Sequence, residues 1–498
     1  MKKLISLFLA LSMVLGIVSF ASAEEPFVLT VMLPDFYSTV DFVTDGNPVL
    51  DAIEAATGVK LDIRFVANST YGDAINTTLS DPSDKQPMVM ALTDARAASI
   101  IDSARAGAFW ELTSYVKDAE NYPNLAAGSE NVYNNISVDG KVFGVYRSRA
   151  YPRSGVYYRT DIAKEVGIEK EPETIEELTA LAEALAGYSD DTYALNMCSY
   201  TAGTISLITV AFGAPDTWGV NENGDIYPAH ESPAYLEGLN WLRHLYEIGG
   251  IDPNFATIDS TKWSEPEYNN KAFMRFDCLD NGYRLQEWFE KEKGVTDVIV
   301  GLIPGLKKAD GSITLWPQNP GFSGEVVVTK AVKEEDLPKV MKFLDWCNGA
   351  EGQMLLNWGV EGVTYWLDEE GFRTDKPADG SDQSTNIQTI QHSLNQLGMN
   401  VPGDLCIPAK TTVLREEYNK GNEEYAQYAV ANPCYPLISE TNVAFGSTLS
   451  EKLSDAAVQY IACKIDEAQL RAVWQEWAEE GGAMITEEYN AAYHAAQQ

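Results

Sequence analysis

The chain has 498 residues, 45% of them apolar and 22% charged, and carries 36 Lys and Arg against 73 Asp and Glu, a formal charge of −37. This is globular rather than disordered composition, and the length suffices for roughly two to four domains or lobes. A surface this acidic is repelled by phosphate backbones and anionic lipid, which argues against nucleic acid or a membrane surface as partner.

In chain order, Lys2 and Lys3 precede an apolar run from Leu4 to Phe20 and an Ala21-Ser22-Ala23 cleavage signal. Residues 1–23 therefore read as a secretory signal peptide cleaved after Ala23, which predicts an exported, extracytoplasmic protein (periplasm or cell surface). Glu24 follows, so there is no lipobox cysteine at that point. Phe27 to Leu33 is an apolar strand. Asn47-Pro48 supplies an N-cap and a first-turn proline, and Gly58 a helix stop. Val59 to Val66 alternates apolar and polar residues as a strand with one polar face. Strand, helix, strand at this spacing predicts a parallel βαβ unit. Met88 to Leu92 is a third short strand.

Further along, Pro172 to Ala186 reads as a helix, with Thr174 and Glu177 in capping-box spacing. Another amphipathic helix is expected from Pro233 to Ile248. Asn223-Gly224 marks a hairpin turn rather than a calcium loop. Glu325 to Thr329 is a strand leading to a helix near Asp336, and Asp466 to Glu480 is the last long helix. Asp368 to Ser384 reads as a polar surface loop. Of six cysteines, Cys406 and Cys434 lie in proline-flanked loops and are candidates for a pair, buried free thiols being the alternative. There is no P-loop, no G-x-G-x-x-G, no H-E-x-x-H and no G-x-S-x-G. With no metal spacing either, neither cofactor nor metal is expected.

What is abundant is aromatic: 25 Tyr and 11 Trp. Their flat apolar faces and hydrogen-bonding edges suit sugars. Tyr37, Tyr151, Trp218, Trp316, Trp358 and Tyr365 fall in loop-like segments.

The motifs, taken in order, resemble the extracellular solute-binding proteins that serve ATP-driven carbohydrate importers, in the large family 1 group. Gly58-Val59-Lys60-Leu61 matches that group's entry to the second strand. Gly107 to Thr113 matches its G-x-f-x-D-L-T segment, and Gly155 to Asp161 resembles G-l-x-Y-R-x-D. Phe343 to Trp346 with Glu351-Gly352 resembles F-L-D-W…E-G. Asn357 to Gly362 with Tyr365 resembles x-x-G-x-E-G-x-x-Y. The resemblance implies an α/β, two-lobe periplasmic-binding-protein-like fold (type II) with a cleft between lobes joined by a multi-segment hinge. The lobes would comprise residues 24–147 plus 322–370 and residues 148–321 plus 371–498.

It further implies a non-enzymatic, monomeric protein. Such a protein captures a carbohydrate, in the first place an oligosaccharide, by hinge closure and delivers it to ABC permease subunits. Arg149, Gly321 and Gly324 bracket the expected hinge. Loops at the C-terminal ends of strands should face the cleft. They assign Tyr37, Asp94, Tyr151 and Asp277 to ligand contact, with Trp218 and Trp316 as stacking platforms and Asp94 and Asp277 for hydroxyl recognition. Trp358, Glu361 and Tyr365 enter from the family motif. A secreted carbohydrate-active enzyme and a surface sugar sensor are the competing readings. No calcium site is expected at Tyr188 to Thr192.

Overall fold

Strict alternation and a well-capped helix build the start of the chain. In a computed structural model describing residues 26–36, 41–151, 153–308, 311–314, 316–375, 377, 389–398 and 400–497, Phe27–Asp35 and Val59–Ala67 pair in parallel. Helix Pro48–Thr57 connects them, with the Asn47 side chain accepting from the amides of Val49 and Leu50 and Gly58 ending it at φ +67°. Val89–Leu92 adds in parallel on the other side of Phe27–Asp35. Phe322–Val328, from far down the chain, pairs antiparallel to Val89–Leu92, and Gly144–Ser148 closes this five-stranded sheet.

A second, four-stranded sheet runs in the order Val300–Ile303, Ser154–Arg159, Ala272–Cys278, Tyr193–Leu195. Helices Ile175–Ala186 and Pro233–Glu247 pack on it through Leu178, Leu181, Leu185, Leu239, Leu242 and Leu245, the apolar stripes expected of them. The chain thus forms two α/β lobes of the type II solute-binding class, each sheet with its own apolar core. The Asn223-Gly224 turn joins antiparallel strands Trp218–Val220 and Ile226–Pro228, with Gly224 at φ +84°. Among the described residues no helix is long and apolar enough to cross a membrane.

The crossings between sheets are held as a short ladder. The Arg149 amide donates to the Gly321 carbonyl (2.9 Å) and the Asn319 amide to the Tyr151 carbonyl (3.0 Å). A third crossing lies later than the sequence places it. Ile390, Leu394, Leu397 and Val401 are buried in the first lobe's core, and the Asn47 side-chain amide donates to the Ile390 carbonyl. Leu414, in helix Val413–Tyr425, packs with the second lobe. Ile390, Leu394, Leu397 and Val401 therefore pack with the first sheet although they lie beyond the boundary expected at 370, and Leu414 packs with the second. Helix Glu440–Ile461 also touches both lobes. Its C-terminal half packs in the second core through Ala456, Ala457 and Ile461, while Arg105 of the first lobe grips Glu440 at its start.

All six cysteines are free thiols. Cys434 packs with Trp218 and Trp477 in the second lobe, whereas Cys406 follows the first lobe's last packed segment, so the candidate pair does not form.

Glu325, on the returning strand, is 3% exposed, and its Oε2 has no hydrogen-bond partner. Burial pushes its carboxyl up to about 8; Arg96 pulls the other way and Asp94 reinforces burial. The ordinary value is 4.5. Between these two pH values the folded chain keeps a proton that the unfolded chain releases, so stability falls as pH rises through that window. Glu325→Gln removes the titration. Its advantage over the natural chain should be negligible below pH 4.5 and then grow by at most ~1.4 kcal/mol per pH unit toward pH 8. Denaturant titrations at pH 5 and pH 8 check this, and equal differences at both would contradict it.

Candidate functional site

The C-terminal ends of the parallel strands lie where the chain crosses between lobes, the usual place for a ligand in open α/β sheets. On the first lobe these ends supply Asp35, Phe36, Asp94 and the Arg147-Ser148-Arg149 run; on the second they supply Asn196 to Tyr200 and Asp277-Cys278. Asp94 is exposed, its Oδ1 accepting from the Arg96 amide at 2.8 Å, a turn that fixes the carboxylate outward. Asp35 Oδ1 lies 2.8 Å from His392 Nε2 and takes part in anchoring the segment around Ile390.

Asp277 is held firmly. Its Oδ2 accepts from Arg275 at 2.7 Å and from the Asn281 side chain at 2.7 Å. Arg275 is itself buried, stacked 3.9 Å over the Trp263 ring and paired with buried Glu267 at 3.4 Å. Tyr157 donates to the same Glu267 carboxylate at 3.2 Å. Tyr200, 58% exposed, stands edge-on to Trp263 at 6.3 Å and within electrostatic reach of Asp277. The second-lobe face of the cleft thus combines an open phenol with a carboxylate pinned by its neighbours.

The structure does not gather all the expected residues. Tyr37 lies outside the described residues. Trp218 is buried against Tyr489 (5.0 Å) and Trp477 (6.3 Å), and Trp316 is 3% exposed, edge-on to Phe276 at 5.8 Å with its indole N–H on the Pro304 carbonyl. With so little of either side chain exposed, neither ring offers an open face for stacking in this conformation. Tyr151 is half-buried at the crossing, its hydroxyl 3.5 Å from that of Ser129. Glu361 and Tyr365 form a tight turn, bridged by the Gly362 amide donating to the Tyr365 carbonyl. Glu361 is exposed and Tyr365 buried, so this motif reads as structural. Trp358 ends helix Ala350–Trp358 under the Arg373 guanidinium. It lines a cavity of about 700 Å³ whose far wall carries Glu287 and Arg415, an ion pair at 2.6 Å.

Gly321 (φ +87°) and Gly324 (φ +88°) do flank the return crossing, as their place in the sequence suggests. Tyr200 and the Arg275 network were missed. Tyr193–Leu195 is only three residues long and carries no periodic signal of its own, so the strand-end rule had no strand to act on there.

A family model described as bacterial extracellular solute-binding protein matches residues 49–358. The chain is 30% identical over 466 residues to Lipoprotein LipO of Bacillus subtilis (strain 168), covering 91% of this chain and 90% of that protein. It is 26% identical over 455 residues to the polygalacturonan/rhamnogalacturonan-binding protein YtcQ of the same organism, covering 89% and 87%. Among solved structures, the substrate-binding protein FusA of S. pneumoniae in complex with kestose superposes with TM-score 0.67 at 16% identity, covering 94% and 99%. A solute-binding protein described as binding HMO, from Bifidobacterium longum infantis, gives TM-score 0.70 at 14% identity with the same coverage.

Proposed function

The chain belongs to the bacterial extracellular solute-binding protein family, and from that premise we propose that it captures an oligosaccharide between its lobes and delivers it to an ABC permease. The observation that carries this reading is the pairing of two sheets through a narrow ladder at Arg149–Gly321 and Tyr151–Asn319, with Asp94 of one lobe and Tyr200 and Asp277 of the other at strand ends beside it. Such a joint lets the lobes rotate about a few backbone bonds, and a ligand touching both favours the closed state. Phenol, pinned carboxylate and outward carboxylate give a sugar one ring face and acceptors for its hydroxyls. The relative YtcQ is named for polygalacturonan and rhamnogalacturonan, and FusA is solved with kestose, in support of a carbohydrate. Export with cleavage after Ala23, a monomeric state and the absence of turnover complete the proposal.

A thermal-shift series over oligosaccharides, run beside a sugar-release assay, tests it. A ligand held at 100 times its Kd should stabilise the fold by about 2.7 kcal/mol. Release of reducing sugar from any of them would replace the binding reading with the enzymatic one. Asp277→Ala is expected to weaken the bound oligosaccharide by roughly 10-fold, the scale of a lost charge-assisted hydrogen bond.

A further inference from the structure

Most buried arginines in this chain are matched by carboxylates. Arg159 is paired with Asp161 at 2.6 Å, and Arg275 with Asp277 and Glu267. Arg147 is different. It is 4% exposed at the end of strand Gly144–Ser148, its Nη2 donates to the neutral side chain of Gln396, and its Nε is buried with no partner. Among the described residues, the ionisable groups acting on it are Arg149, which opposes its charge, and the Tyr71 phenol, with no carboxylate among them. Arg149, two residues on and half-buried, places Nη1 on the Ser148 carbonyl at 3.0 Å. Beside it, Arg153 and Arg284 share the single carboxylate of Asp280, at 3.2 and 3.1 Å. Arg147 and Arg149, next to two further guanidiniums that share one acid, make a positive patch at the crossing of a chain whose net charge is −37.

A guanidinium withdrawn from water without a counter-charge is costly, and it persists where something completes it. Guanidinium matches carboxylate in geometry, through two parallel hydrogen bonds. We propose that Arg147 and Arg149 form an anion subsite at the hinge, and that the sugar taken by this protein carries a carboxylate, as a uronate does. This rests on the carbohydrate reading above and names the chemical class of its ligand. Arg149, the more exposed of the pair, meets the ligand first, and Arg147 closes the pocket behind it.

The test uses trigalacturonate and its methyl ester, which keep the same ring stereochemistry and differ in charge, with a neutral galactose oligomer as third probe. Calorimetric titration of the full mature chain should show binding of trigalacturonate, weakened about 10- to 100-fold or more by esterification. Arg149→Gln should lose about 10- to 100-fold in affinity for the acid. The loss should be much smaller for any neutral oligomer that binds. Arg147→Gln should behave alike if it folds; Arg149→Gln, at a half-buried site, keeps the test valid if it does not. Binding of the ester or the neutral oligomer as tightly as the acid, unchanged in Arg149→Gln, overturns the anion subsite while leaving the carbohydrate reading intact. No binding of any of the three overturns the uronate assignment; if the wider oligosaccharide series is also silent, the carbohydrate reading falls with it.

Discussion

Gly324→Ala is expected to lower the unfolding free energy by about 3 kcal/mol or more, among the larger effects of a single methyl group in this chain. Two costs combine. The residue sits at φ +88°, where an L side chain is strained by about 1–2 kcal/mol. A Cβ there would also stand 2.0 Å from the Leu92 carbonyl oxygen and 3.0 Å from the Leu92 and Thr93 carbonyl carbons. Those atoms are backbone of the neighbouring strand, and Leu92 is the ladder partner of Glu325. They cannot yield without opening the pairing that brings the chain back into the first lobe. The pairing with Gly144–Ser148 already shifts register between Phe322 and Glu325, so the strand has a bulge where the glycine stands. Gly362→Ala is the control. It has a similar φ of +77° but no atom within 4 Å of the added Cβ, so only the strain of about 1 kcal/mol should appear. Chemical denaturation of both variants separates the two costs. A Gly324→Ala protein no less stable than Gly362→Ala would mean that the strand pairing tolerates the methyl group.

This glycine also shows which parts of the molecule the sequence discloses. Gly321 and Gly324 around Phe322 mark a turn locally, because a positive φ leaves its trace in the residue itself. Asn47-Pro48 with Gly58, and the alternation of Val59 to Val66, are local in the same sense. Trp218 and Trp316 are not. A tryptophan in a loop-like stretch has the same neighbours in sequence whether its ring is covered or bare. What covers Trp218 is Trp477 and Tyr489, more than 250 positions away. The packing of Ile390 and its neighbours with the first sheet is hidden for the same reason. Ile390, Leu394, Leu397 and Val401 do recur at helical spacing, but a period tells which face is buried and not against which sheet; that is settled by long-range contacts such as Asn47 to Ile390 and Asp35 to His392. Arg147, Arg149 and Arg153 stand close together in the sequence, but which of them lacks an acid shows only in three dimensions.

The second large effect is expected at Arg275, and its size follows from what the side chain leaves behind. Arg275→Ala should destabilise the fold by about 3–5 kcal/mol, because Glu267, 4% exposed, and Asp277 would lose the cation that balances them. Arg105→Ala removes as many contacts, with Asp139 at 2.9 Å and Glu440 at 2.8 Å, yet those acids are more than half exposed and water replaces the guanidinium; less than ~1 kcal/mol should be lost. The pH dependence separates burial from packing. Burial already raises the Glu267 pKa, opposed first by Arg275, so removing the arginine raises it further. The folded variant then holds a proton that the unfolded chain gives up, and its stability falls as pH rises. Its deficit against the natural chain should be smaller at pH 5 than at pH 8. Arg275→Met with Glu267→Gln, which leaves neither charge of that pair, should recover part of the loss. A deficit independent of pH, with no recovery in the double variant, would assign the cost to the lost stacking on Trp263 instead. In either case Asp277 loses the bond that aims it, so weaker oligosaccharide binding in a folded Arg275 variant would tie the buried network to the cleft.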